Sequence, residues 1–144
     1  MLYIAYGSNM VKHQMDRRCP NAVLVGIGDI PGYNLEFYTH ATIELDFRGR
    51  ASVPAVVWEI SESDEVFLDR YEGYPAYYGK RQQVVNMRDG TRAEGMLYFM
   101  RAQYKEGKPT DTYCNEIIRA YVALGLTSEI NTILRPAIQR GLER

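Results

Sequence analysis

The dipeptide Asp89-Gly90 separates two segments with strand-like composition, residues 80–87 and 91–100. Aspartate followed by glycine is typical of a tight hairpin turn, so these segments are predicted to pair as antiparallel strands. Further strand candidates are residues 2–6, 22–30, 35–40, 41–47 and 52–60. Turn signals such as Pro31-Gly32 connect most of them, rather than helical crossovers. We therefore expect an α+β fold: a small mixed, mainly antiparallel β-barrel or sheet with flanking helices.

Four helical segments accompany these strands. Residues 10–18 predict a short helix that ends at Cys19-Pro20, and a second helix is predicted between Ser61 and Gly73, where Ser61 and Asp64 resemble a capping box. A third helix opens at 109–110 and ends at Gly125, and the last covers residues 127 to about 134. Pro136 makes its continuation doubtful, because proline disrupts a helix interior.

Length and charge restrict the class of protein. The chain has 144 residues, which suits one domain over residues 1–144, and its net charge is −1 with scattered positive residues. This pattern predicts neither a nucleic-acid partner nor a membrane partner, since there is no basic stripe and no apolar run of about 20 residues. The start, MLYIAYG, has no basic segment or cleavage site of a signal peptide, so we expect a cytoplasmic protein.

Cysteine and histidine do not indicate a metal site. Cys19 and Cys114 are far apart in the sequence and are expected to be reduced and structural. His13 and His40 do not have zinc-ligand spacing from them or from each other. We therefore expect no metal and no redox role for the thiols. The twelve tyrosines are unusual, and they favour a half-polar cavity because each ring retains a hydroxyl that needs a partner.

The first candidate for chemistry is the segment Tyr6-Gly7-Ser8-Asn9, at the end of the first strand. No G-x-S-x-G or nucleotide-binding motif is present, so Ser8 is a poor candidate for a nucleophile. Successive backbone amides in a turn can bind an anion, and Gly7, Ser8 and Asn9 are candidates for this role. Alternatively, Ser8 or Asn9 simply caps the helix that follows.

The second candidate is Glu72, which lies at a helix end between Tyr71 and Tyr74 and just before Gly73. A carboxylate surrounded by aromatic rings loses hydration, and its pKa rises toward the range that suits a general base. The alternative is an ordinary surface glutamate. On the same basis Tyr71, Tyr74, Tyr77 and Tyr78 are assigned to packing.

Taken together, these segments resemble the gamma-glutamylcyclotransferase-like family, which includes the AIG2-like proteins. The resemblance rests on YGSNM at residues 6–10, AVVWEI at 55–60, FLDRYEG at 67–73, GMLYFM at 95–100 and PTDTY at 109–113. It extends over nearly the whole chain in the right order. The fold that it implies, a small mixed barrel with flanking helices, agrees with the predicted strand and helix order.

The resemblance also implies a reaction and a site. In this family the α-amine of a gamma-glutamyl amide attacks its own γ-carbonyl, which forms 5-oxoproline and expels an amine or amino acid. Glu72 matches the catalytic glutamate, and Gly7, Ser8 and Asn9 match the loop that holds the glutamyl group, with Tyr6 beside it. Tyr98 and Tyr113 match positions that line the pocket. This intramolecular acyl transfer requires no cofactor and no protein nucleophile.

The resemblance leaves the substrate open. The first motif is similar to the branch that acts on gamma-glutamyl amino acids, whereas FLDRYEGYPAYY at 67–78 is also similar to the branch that acts on gamma-glutamylamines. The alternatives are therefore a cyclotransferase for a gamma-glutamylamine or a gamma-glutamyl-protected metabolite, and a non-catalytic small-molecule-binding protein. The oligomeric state is also open, as is whether the amides of residues 7–9 hold the substrate carboxylate or the oxyanion.

Overall fold

The computed structural model describes all of residues 1–144 and has seven strands. They are β1 (Leu2–Ala5), β2 (Val23–Pro31), β3 (Tyr33–Phe37), β4 (Ala41–Leu45), β5 (Ser52–Glu59), β6 (Tyr78–Met87) and β7 (Arg92–Met100). Five of them close into a barrel in the order β1-β5-β2-β6-β7, and β3 pairs with β4 in a separate sheet. All pairs are antiparallel except β1 and β7, which run parallel where Tyr3 faces Met96. The predicted mixed, mainly antiparallel barrel is confirmed.

The hairpin predicted at Asp89-Gly90 joins β6 to β7, which pair from Tyr78 with Met100 to Asn86 with Arg92. Gly90 has a positive φ of 92°, a conformation that glycine adopts without steric cost. The carboxylate of Asp89 accepts hydrogen bonds from the backbone N–H and the hydroxyl of Thr91, at 2.9 and 2.6 Å. Local chemistry therefore specifies this turn.

The helices pack outside the barrel. They are α1 (Lys12–Met15), α2 (Glu62–Tyr71), α3 (Asp111–Ala123), α4 (Thr127–Glu129) and α5 (Arg135–Leu142), with a π-helical segment (Ile130–Leu134) between α4 and α5. Helix α2 begins with the predicted capping box, in which Ser61 and Asp64 each accept a hydrogen bond from the other's backbone. It ends before Gly73, whose φ of 63° turns the chain away. None of the helices combines the length and the apolarity needed to cross a bilayer.

Helix α1 is shorter than the predicted helix at residues 10–18. Asn9 has a positive φ of 71° and Val11 is extended, so regular helix begins only at Lys12. Val11 is the N-cap residue, and no side chain caps the helix. The interpretation that Ser8 or Asn9 caps the following helix is therefore wrong.

The C-terminal helix continues beyond the predicted end near residue 134, through Pro136 to Leu142. Proline cannot donate a backbone hydrogen bond to the preceding turn, and its ring crowds that turn. The π-helical segment lies directly before this position, and its wider turn accommodates the ring. Leu134 and Ala137 on either side of Pro136 are fully buried, so packing stabilises the continuation.

The central strand β5 shows why the barrel forms around this sequence. Its residues from Val53 to Trp58 are buried on both faces, between the barrel interior and the surrounding elements. In the barrel β5 lies between β1 and β2. Strand β1 leads directly into Tyr6, the first residue of the candidate loop. The fold thus attaches the segment after β1 to a strand that pairs with the buried strand β5.

Candidate active site

A cavity of about 220 Å³ lies where the segment after β1 meets the C-terminal end of α2. Seven of its lining residues are tyrosines, and the others are small, aliphatic or titratable. The tyrosines are Tyr3, Tyr6, Tyr71, Tyr77, Tyr78, Tyr98 and Tyr113, and the rest are Ile4, Ala5, Gly7, Ser8, His40, Ala41, Glu72 and Glu116. The half-polar, tyrosine-lined cavity that the composition favoured is present.

Glu72, the residue that directly follows α2, lines this cavity. Its backbone N–H donates to the carbonyl oxygen of Leu68, and Gly73 then changes the chain direction, which fixes the position of the side chain. Burial raises the pKa of Glu72 to about 7, and the positive charge of Arg18 opposes this increase. No hydrogen bond contributes to the shift. Its carboxyl group can therefore take up and release a proton near neutral pH.

Gly7 and Ser8 line the same cavity as Glu72. None of the backbone hydrogen bonds in turns and loops uses the N–H of either residue. Two neighbouring amide donors are thus available in the same cavity as the Glu72 carboxyl group. Donors arranged in this way stabilise a carboxylate or a developing oxyanion.

Asn9 is brought into the same loop but does not line the cavity. Its backbone N–H donates to Oε1 of Gln14 at 3.0 Å, so the expectation that this amide faces outward with those of Gly7 and Ser8 is wrong. The fully buried side chain donates to the hydroxyl oxygen of Tyr3 at 3.2 Å. The backbone carbonyl oxygen of Asn9 accepts a 2.8 Å hydrogen bond from Nε1 of Trp58 on β5. Asn9 therefore holds the loop in place from behind.

The three predicted tyrosines line the cavity from three different elements: Tyr6 follows β1, Tyr98 lies on β7 and Tyr113 lies on α3. The hydroxyl of Tyr6 donates to the carbonyl oxygen of Tyr98 at 2.6 Å, and that of Tyr98 donates to Oδ1 of Asp69 at 2.7 Å. Tyr113, in the first turn of α3, accepts a 3.0 Å hydrogen bond from the N–H of Ala41. Burial is the main cause that raises the pKa of all three tyrosines. They therefore stay protonated at neutral pH and contribute hydroxyls rather than bases.

Sequence reasoning missed several residues of the cavity. His40, in the turn between β3 and β4, is 2.8 Å from the hydroxyl of Tyr77 through its Nδ1 atom. Its ring also meets that of Tyr113 edge-on, at 5.2 Å between centroids, and partial burial lowers the pKa of His40. Tyr71, Tyr77 and Tyr78, assigned to packing, line the cavity as well. No local motif signals these positions, because distant segments bring them together.

No group of three or more His, Cys, Asp and Glu side chains lies close enough together to hold a metal ion. The cavity is lined by two carboxyl groups, those of Glu72 and Glu116, together with the backbone of Gly7 and Ser8, a histidine and several hydroxyls. This set suits proton transfer and the stabilisation of a polarised carbonyl oxygen.

Comparison with known proteins places these features in context. The family model for gamma-glutamyl cyclotransferase, AIG2-like proteins matches residues 3–115, a range that includes the loop after β1, Glu72, Tyr98 and Tyr113. Gamma-glutamylcyclotransferase from Mus musculus is 27% identical over 145 residues, which cover 93% of this chain and 77% of the mouse protein. The protein of the same name from Bos taurus is 27% identical over 139 residues, covering 89% and 73%.

Solved structures agree with these matches. A structure of a gamma-glutamyl cyclotransferase superposes with a TM-score of 0.82 at 25% identity, over 94% of this chain and 86% of the other. An uncharacterised protein from Homo sapiens superposes with a TM-score of 0.83 at 25% identity, over 93% and 85%. The predicted resemblance and the predicted fold are both confirmed.

Proposed function

The chain belongs to the gamma-glutamyl cyclotransferase, AIG2-like family, and from this premise we propose that it converts a gamma-glutamyl amide into 5-oxoproline and a free amine or amino acid. Glu72 moves the protons in this reaction. The observation that carries the proposal is that Glu72, with its pKa of about 7, lines one cavity together with Gly7 and Ser8, whose backbone N–H groups make no turn or loop hydrogen bond.

The reaction needs two groups of the same substrate to meet. The α-nitrogen attacks the γ-carbonyl carbon, the new carbon–nitrogen bond closes a five-membered lactam, and the original amide bond breaks. Holding such groups in the attacking conformer can supply an effective molarity of about 10⁵ M or more. The cavity supports this role, since the tyrosine rings that line it can restrict the conformation of a glutamyl chain. The protein then needs no nucleophile of its own.

The protons that the α-nitrogen of the substrate loses are gained by its leaving nitrogen. The α-ammonium must lose a proton before the nitrogen can attack, and the ionised carboxylate of Glu72 accepts it. The leaving nitrogen must gain a proton as the amide bond breaks, and the protonated Glu72 donates it. The nitrogen that has attacked loses a second proton as the neutral lactam forms, and the departing amine takes up this proton and leaves as an ammonium ion. No net proton is therefore released and no water is consumed. A carboxyl group with a pKa near the working pH can perform both transfers, which typically accelerates a reaction by about 10²–10⁴.

The amides of Gly7 and Ser8 complete the mechanism. As the α-nitrogen attacks, negative charge develops on the γ-oxygen, and preorganised N–H donors stabilise it without reorganisation. The same donors suit the α-carboxylate of the glutamyl group. In both arrangements the glutamyl group lies between this loop and Glu72, with the leaving group directed away from the barrel.

The test is mass spectrometry for 5-oxoproline after incubation with gamma-glutamyl amino acids, gamma-glutamylamines and glutathione. We expect product from the unmodified protein, and a decrease of about 10² or more in the rate for Glu72→Gln, with ligand binding retained. Glu62→Gln, an exposed change at the start of the same helix, is the matched control. Product formation that does not depend on Glu72 contradicts the assigned role, and binding without any turnover favours a binding protein.

A further inference from the structure

A second cavity, of about 430 Å³, adjoins the first. The two share Ser8, Tyr71 and Glu116 as lining residues, so they lie next to each other. The remaining lining comes from α1, the turn after it and the outer face of α3. The proposed reaction places the glutamyl group beside Glu72, and the leaving group must then extend out of the first cavity.

The second cavity is strongly positive. Arg17, Arg18 and Arg119 line it, whereas Glu116 is its one carboxylate. None of these three arginines takes part in an ion pair of the protein. In a chain whose net charge is −1, three unpaired guanidinium groups in one cavity create a local field that attracts an anion. We refer to this cavity as the arginine cavity.

Arg18 is fixed in position for such a role. Its guanidinium carbon lies 3.6 Å above the centroid of the Tyr71 ring, and its Nη1 donates to the carbonyl oxygen of Gln14 at 3.1 Å. Its Nε is buried and has no hydrogen-bond partner. The buried Nε is out of reach of a ligand, whereas Nη2 makes no hydrogen bond within the protein and is not buried, so it can donate to a ligand in the cavity. A planar guanidinium matches the geometry of a carboxylate.

We propose that the arginine cavity binds a carboxylate on the leaving group, held by Arg18 and Arg119, so that the substrate is a gamma-glutamyl amino acid rather than a gamma-glutamylamine. This inference rests on the proposed function. In a gamma-glutamyl amino acid the carboxylate is two bonds from the leaving nitrogen. It therefore lies directly beyond the scissile bond, and the proposal places it in the neighbouring arginine cavity, past the shared residues Ser8, Tyr71 and Glu116.

The experiment compares two substrates that differ only in this carboxylate, gamma-glutamyl-alanine and gamma-glutamyl-ethylamine. Release of 5-oxoproline and equilibrium binding by calorimetry are measured for both. We expect kcat/KM for the alanine compound to be higher by about tenfold or more, mainly through KM. Arg119→Gln should remove this preference by weakening the alanine compound alone. Arg18→Gln should also remove the preference, and because Arg18 lowers the pKa of Glu72, the two compounds are compared for this variant at a pH well above the acidic limb of turnover. Arg119 is exposed, so its substitution tests the proposal even if Arg18→Gln fails to fold.

Arg135→Gln, an exposed change on α5 outside both cavities, should leave both substrates unaffected. Equal turnover of the two compounds overturns the inference and leaves the proposed function intact. A third outcome is that neither compound is turned over, but the alanine compound binds more tightly and this difference depends on both arginines. This outcome supports the carboxylate site and contradicts the proposed function. Neither turnover nor binding of either compound overturns both. A preference that survives both arginine substitutions overturns the assigned residues.

Discussion

The indole N–H of Trp58 donates a 2.8 Å hydrogen bond to the carbonyl oxygen of Asn9, and this links the loop after β1 to the central strand of the barrel. Both groups are buried. Because Asn9 has a positive φ of 71°, the loop needs such a contact to hold a backbone conformation that few side chains favour. The amides of Gly7 and Ser8 precede this anchor directly, so their direction depends on it.

Replacing Trp58 with phenylalanine should therefore weaken both stability and substrate binding. The change leaves the carbonyl oxygen of Asn9 without its donor, and we expect a loss of about 1 kcal/mol or more in the free energy of unfolding. We also expect KM to rise, because the amides of the loop are no longer held in one orientation. Denaturant unfolding and steady-state kinetics measure the two effects. An unchanged KM in a destabilised protein contradicts the anchoring role of Trp58.

Local sequence was sufficient for parts of the fold and of the site. The hairpin at Asp89-Gly90 and the capping box of α2 each depend on residues within a few positions, so their chemistry could be recognised without the tertiary structure. The position of Glu72, at the end of a helix and before Gly73, is local in the same sense. These predictions agree with the structure because no distant contact competes with them.

The remaining features depend on distant contacts. The parallel pairing of Tyr3 with Met96 closes the barrel between strands that are far apart in the sequence, and no local pattern specifies it. His40 meets Tyr77 because the β3–β4 turn packs against the segment before β6. The continuation of the last helix through Pro136 likewise depends on burial of its neighbours, which outweighs the unfavourable propensity of proline.

The pH dependence of turnover should report on Glu72. Its pKa is raised to about 7, so the carboxylate that acts as the base is lost as the pH falls below this value. We expect kcat/KM to decrease on the acidic side with an apparent pKa of about 7. Arg18 lowers the pKa of Glu72, so Arg18→Gln should move this acidic limb to higher pH. Arg135→Gln is the control and should leave the acidic limb in place. If the limb also stays in place in Arg18→Gln, the charge of Arg18 does not act on the pKa of Glu72.

The same raised pKa predicts that Glu72 lowers stability at neutral and higher pH. The folded protein retains the proton up to about pH 7, whereas an unfolded glutamate loses it near its ordinary value of 4.5. Between these values the folded state binds more protons, so stability falls as the pH rises through this window. At pH 8 the Glu72→Gln variant should be more stable than the unmodified protein by on the order of 1 kcal/mol. Denaturant unfolding at pH 4 and pH 8 measures the difference.

This gain should disappear at pH 4, where Glu72 is protonated in both states. Glu62→Gln, at an exposed position, should not change the pH dependence of stability. Suppose that the difference in free energy of unfolding between Glu72→Gln and the unmodified protein is the same at pH 4 and at pH 8. Burial of the Glu72 carboxylate then has no energetic cost. Such a result also removes the physical basis for its use as a base near neutral pH.

Two glycines that end helices separate the effect of backbone strain from an effect on the site. Gly73 and Gly125 have positive φ values of 63° and 74°, so replacement of either by alanine should cost about 1–2 kcal/mol. An added Cβ at Gly125 meets nothing within 4 Å, whereas at Gly73 it lies 3.1 Å from Cβ of Tyr77. Because Gly73 follows Glu72, only Gly73→Ala should also displace residues that line the cavity.

We expect Gly73→Ala and Gly125→Ala to lose similar stability in denaturant unfolding. Only Gly73→Ala should lose turnover by tenfold or more, since misplacement of a reacting group by about 1 Å can cost about 10²-fold in rate. A similar loss of turnover in Gly125→Ala assigns the effect to general destabilisation, and full turnover in Gly73→Ala contradicts the dependence of the reaction on the placement of Glu72 and Tyr77.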